Sequence, residues 1–170
     1  MKIRTEALVD AGPDVLWKVM SNPTQWPSLT DSITAVEMSD ESLRIGTQVR
    51  IEQPRLRPMV WTVTELTPGS SFGWTASAGG VTTVGTHAIT PVGSGETSRL
   101  VLGLEQTGVL APLIGLLAGG RIRRYVELET AGLKAGAEAM AGSAELPRRH
   151  RDPSSRLGRL DDNKRSSDLL

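Results

Sequence analysis

Residues 98–140 read SRLVLGLEQTGVLAPLIGLLAGGRIRRYVELETAGLKAGAEAM, and a change of period inside this stretch sets the fold class. Up to Gln106, Leu100, Leu102 and Leu104 recur every second residue and form one face of a strand. From Leu110 onward, Leu113, Ile114, Leu117, Ile122, Tyr125, Val126, Glu129, Leu133, Ala137 and Met140 return at helical spacing. The pattern predicts a last strand over 98–106 and one long helix over about 110–140, bent at Gly119-Gly120. A helix so long, with so apolar a stripe, must lie on the sheet that precedes it.

The rest of the chain supplies that sheet. Ile3, Thr5, Ala7 and Val9 alternate with Lys2, Arg4, Glu6 and Leu8 in a first strand. Gly12-Pro13-Asp14 opens a short helix, because proline suits the first helical position and an aspartate suits the positive end of the helix dipole. Asn22-Pro23 stops it, and Trp26-Pro27 begins a second short hook. Strand signals then fill 31–107, over 33–38, 47–53, 60–66, 72–76, 81–90 and 98–106, separated by turns such as Thr67-Pro68-Gly69 and Gly93-Ser94-Gly95. Seven strands with hairpin-length connections predict an antiparallel meander.

Composition removes much chemistry. With no cysteine, disulfide scaffolds, thiolate metal sites and cysteine nucleophiles are excluded. Two histidines, His87 and His150, are too few for a multi-histidine metal site. Nineteen basic residues balance nineteen acidic ones, so no global field recruits nucleic acid or an anionic membrane. No nucleotide-binding glycine loop and no nucleophile elbow occurs, and no cofactor is expected. The amino terminus lacks the apolar core of a signal peptide, and the most lipophilic run, 109–118, is half the length of a bilayer span. The expectation is a cytoplasmic chain, without membrane insertion, existing as monomer or homodimer. After Gly142 the periodicity ends: residues 143–170 carry seven basic and five acidic residues with many serines, the composition of a disordered polar tail.

The order of one strand, two short helices, six strands and a long helix resembles the helix-grip fold of the START-like superfamily. Ala11-Gly12-Pro13-Asp14-Val15-Leu16-Trp17, Asn22-Pro23-Thr24-Gln25-Trp26-Pro27, Trp61-Thr62-Val63-Thr64-Glu65-Leu66 and Phe72-Gly73-Trp74 are similar to stretches of its polyketide cyclase/dehydrase branch, the SRPBCC proteins. The resemblance spans 1 to about 140 and implies an α+β domain over 1–142, a curved sheet gripping the long helix. Such a sheet cannot close on the helix along its whole length, and the gap is an apolar cavity. Gly79, Gly80, Gly85 and Gly103 are expected to widen it by removing volume.

The expected occupant is a small hydrophobic or polycyclic molecule, and two functions use it. One is binding without chemistry. The alternative is a polyketide cyclase, aromatase or dehydratase with an acid/base inside the cavity. Trp26 and Trp61 are candidate walls, Trp17 and Trp74 read as core residues, and Trp74 and the inward-facing Leu102 are also candidate ligand contacts. In aromatase/cyclase members an arginine before a proline orients the chain; here Gln53 precedes Pro54, with Arg55 and Arg57 beyond it. A glutamine hydrogen-bonds a carbonyl without serving as a charged anchor. His87 is the leading proton carrier by elimination: His150 is in the tail, Glu6, Asp10, Glu37, Asp40 and Glu41 fall at strand edges or turns, and Glu105 opposes the leucine face. Tyr125, on the helical stripe, is the second. Because the tail has no apolar face to bury, truncation after Gly142 is expected to leave the thermal midpoint within a few degrees; calorimetry of both chains checks this.

Overall fold

The structure is a computed structural model and describes residues 1–145. Among them, β1 (Lys2–Val9) leads into α1 (Pro13–Met20) and a 3-10 turn (Pro23–Ser28). Six strands follow: β2 (Ala35–Met38), β3 (Gln48–Glu52), β4 (Met59–Thr67), β5 (Ser71–Ala78), β6 (Val81–Val92) and β7 (Thr97–Thr107). The chain ends its described part in α2 (Ala111–Glu145). The sheet order is β1-β7-β6-β5-β4-β3-β2, antiparallel throughout, so the meander predicted for β2–β7 is closed at one edge by β1.

Register turns the alternation into layers. One inward row crosses the sheet as Thr5, Leu102, His87 and Phe72; the next runs Ile3, Leu104, Gly85 and Trp74; a third holds Gln106, Thr83 and Ala76. Leu100 and Leu102 are buried and Glu105 faces outward to Lys2 at 3.1 Å, as the leucine period predicts. Trp26, Leu16, Met20, Val9 and Leu133 are fully enclosed where α1, the 3-10 turn and the second half of α2 meet the sheet.

α2 approaches its neighbours closely only where its side chains vanish. A Cβ on Gly132 would overlap the carbonyl of Leu29, and one on Gly136 would press on the Leu29 methyls at 3.0 Å and 3.1 Å. Thr5 Oγ1 meets Thr130 Oγ1 at 2.6 Å; Thr130 already donates to Val126 O, which leaves Thr5 as the donor. Lys134 Nζ donates to Leu8 O and to Glu138 Oε1, and Glu138 also accepts the Asp10 N–H. Lys134, and then that N–H, hold the Glu138 carboxyl below the usual carboxylate range.

The helical conformation runs unbroken through Gly119-Gly120. Gly119 gives Met1 room, since a Cβ there would come within 3.2 Å of the Met1 sulfur. One sequence expectation changes: the helix continues to Glu145, past the boundary set at Gly142; the rest of the expected tail lies outside the described residues. Gly132→Ala is expected to cost about 1–3 kcal/mol, because the opposing atom is backbone and cannot rotate away. A midpoint lowered by roughly 3–10 °C in a thermal melt is the expected reading.

Candidate functional site

Between the sheet and the first half of α2 lies a cavity of about 370 Å³. β3, β4 and the 54–58 loop form one wall, β5–β7 the floor, and Ile114, Ala118, Ile122, Tyr125, Val126 and Glu129 of α2 the roof. Its lining is mostly apolar, with polar groups at separated points.

One polar end is built by His87. Its imidazole is 3% exposed and stacks on Phe72, ring centroids 4.3 Å apart and planes within 11°. His87 Nε2 lies 2.8 Å from Glu129 Oε1 across the gap between sheet and helix. With Glu129 ionised, Nε2 carries the proton and donates; Nδ1, an acceptor in the neutral imidazole, has no partner. A histidine–carboxylate pair of this kind can pass a proton to or from a bound molecule. The other polar end is two strand-rows away, about 13 Å along β6. There Gln106 Nε2 donates to Thr83 Oγ1 at 3.3 Å, and Gln106 Oε1 has no partner.

The roof and the side wall are tied together. Tyr125 donates its hydroxyl to Pro54 O at 2.6 Å, so the polar tip on an apolar stripe finds its acceptor in the β3–β4 loop. Arg121 Nη1 donates to Arg55 O at 3.4 Å, and Arg55 itself adopts a positive φ of 59°.

The structure thus gathers His87, Tyr125, Gln53, Trp61, Trp74 and Leu102 around one cavity. Trp26 is not there. It sits fully buried behind the wall, its indole N–H donating to Val19 O at 3.3 Å and its ring 5.7 Å from Trp74 and 5.4 Å from His87. It belongs to the 3-10 turn, which with α1 covers that part of the sheet, so the ring packs core instead of facing the ligand space. Trp17 is partly buried against the core. Glu129 and Gln106 are the residues that sequence reasoning missed. Glu129 is a carboxylate on the apolar stripe of α2, and that position alone marks it as inward-facing.

The glycines also act differently from expectation. Gly85 does not leave empty space: a Cβ there would overlap Trp74 Nε1, so the indole occupies the room the glycine leaves. The missing Cβ of Gly103 is matched by Thr86 Oγ1, and Gly79 and Gly80 form the positive-φ turn between β5 and β6.

The chain belongs to the polyketide cyclase / dehydrase and lipid transport family, whose model matches residues 1–142. The SRPBCC/START-like fold follows with it. Among solved structures it is similar to a hypothetical protein, jhp0584, of Helicobacter pylori, at 13% identity and a TM-score of 0.69, covering 81% of this chain and 88% of that one. A START superfamily protein of Mycobacterium smegmatis matches at 12% identity and a TM-score of 0.61, over 84% and 98%. The di-domain aromatase/cyclase StfQ of the steffimycin biosynthetic pathway matches at 15% identity and 0.64, over 84% of this chain and 51% of that one. Likeness at this identity concerns the fold. No curated protein matches the chain in sequence.

Gly85→Ala is expected to push the Trp74 indole toward the cavity. The readout is a lower thermal midpoint together with a shifted tryptophan emission maximum; an unchanged spectrum would contradict this packing.

Proposed function

We propose that the protein binds a small hydrophobic molecule, flat or polycyclic, in the cavity between the sheet and α2. The carrying observation is a ligand-sized apolar space whose only buried, unpartnered side-chain atoms among the described residues belong to two of its lining residues, His87 and Gln106. Buried polar atoms left without partners are costly, and a ligand bearing a hydroxyl at either end would relieve that cost. Family membership, with its lipid-transport and cyclase branches, supports a lipophilic occupant. Trp61 and Trp74, whose ring centroids are 5.4 Å apart with planes tilted by 35°, offer aromatic contact area to it.

Titration with 1-anilinonaphthalene-8-sulfonate is expected to quench tryptophan emission, and Trp61→Ala to remove most of that change. A variant that binds the dye as before, with the same quenching, would move the pocket elsewhere.

The second reading is catalysis of a cyclisation or dehydration, favoured by the His87–Glu129 hydrogen bond facing the cavity. There the pair would remove a proton α to a ligand carbonyl while Gln53 or Tyr125 orients the carbonyl oxygen. Deuterium incorporation at the α-carbon of a bound aromatic ketone, followed by NMR, tests it. His87→Ala is expected to slow exchange about a hundredfold while dye binding persists. Exchange at the wild-type rate in the variant would leave ligand binding as the whole function.

A further inference from the structure

The outer face of α2 changes character along its length. Over its first two turns it presents Pro112, Leu113, Leu116 and Leu117 to solvent, preceded by Val109 and Leu110. Val109 is 88% exposed, Leu116 82% and Leu117 74%. One turn further the same face carries Arg121 and then Arg124, with Arg123 beside them. The facing 54–58 loop adds Arg55 and Arg57, held against the helix by the Arg121–Arg55 and Tyr125–Pro54 hydrogen bonds.

Between Glu105 and Glu127 the chain has no acidic residue, and none between Glu52 and Glu65. Five arginines therefore ring one end of a molecule whose net charge is zero. Arg124 lies 3.8 Å from Glu127, both exposed, which offsets that charge weakly.

We propose that this end docks on an anionic lipid bilayer, with the leucines of 109–117 entering the acyl boundary and the arginines at the level of the lipid phosphates. An interfacial helix combines an apolar face with basic residues at its edge, and here the two follow one another along the helix axis by one to two turns. No described helix is long and apolar enough to cross a membrane, so the contact is peripheral. Self-association through this end is disfavoured, because a two-fold contact would bring ten arginines together. The leucines are largely exposed, as side chains entering a fluid surface must be. Arg57 and Ile114, which neighbour this surface, also line the cavity, so docking here would bring a lipophilic ligand's bilayer source close to its binding space. The balanced whole-chain charge hides this surface, since the field of a local cluster is what a membrane senses within a Debye length.

The test is co-flotation of the full chain with vesicles of phosphatidylcholine alone and of phosphatidylcholine with phosphatidylserine. Binding is expected only to the phosphatidylserine vesicles and is expected to fall as salt rises. Leu116→Ser with Leu117→Ser should abolish it; both positions are exposed, so the fold is retained. Arg123→Gln and Arg124→Gln should each weaken it about fivefold. Absence of flotation, flotation unaffected by the leucine pair, or equal binding to both vesicle types would overturn the proposal. So would a concentration-dependent dimer in sedimentation that the leucine pair dissolves, which would assign the face to a second copy. Dye quenching by the cavity is measured separately without vesicles, so loss of docking and loss of ligand binding are distinguishable.

Discussion

The structure depends on how closely α2 can approach at its two halves. In the second half, Gly132 and Gly136 let the helix backbone come down onto Leu29, with Leu133 and Ala137 filling the core beside it. Thr5–Thr130 and Lys134–Leu8 fasten the same half to β1. In the first half Ile114, Ile122 and Tyr125 keep the helix off the sheet, and the cavity is the volume so left. A rigid rod pinned at one end over a curved surface must leave a gap at the other.

That geometry explains why the polar groups stand where they do. Glu129 lies at the junction between the pinned half and the raised half, adjacent to Thr130, and reaches His87 there. Thr5, Leu102, His87 and Phe72 share one row of the sheet, so the histidine's position and the helix's anchor are fixed by the same register. A slip of one residue in β6 would turn His87 to the convex face and bring Thr86 or Ala88 inward. Ligand binding and proton transfer would both depend on this one register.

The raised half of α2 carries its own consequence. Lifted from the sheet, its first turns bury only one side, and the sequence there is apolar on both. The outward leucines and the arginines of the helix lie on the face away from the sheet, over the same stretch of helix that roofs the cavity.

The sequence alone determined the architecture, because periods of 2 and 3.6 are local and the switch at Gly108 is abrupt. It also determined that Leu100 and Leu102 point inward and Glu105 outward, since strand alternation leaves no third choice. It placed His87, Trp61, Trp74, Gln53, Tyr125 and Leu102 on elements that the structure brings around the cavity. Only the tertiary structure decided that Trp26 packs behind the wall, that Gly85 makes room for an indole, and that Glu129 partners His87. Those facts rest on contacts between distant segments, His87 with Glu129 being 42 positions apart. Periodicity says which face a residue occupies and not what stands opposite. Charge follows the same division: composition gives the sum, zero, while the placement of five arginines around one rim belongs to the fold.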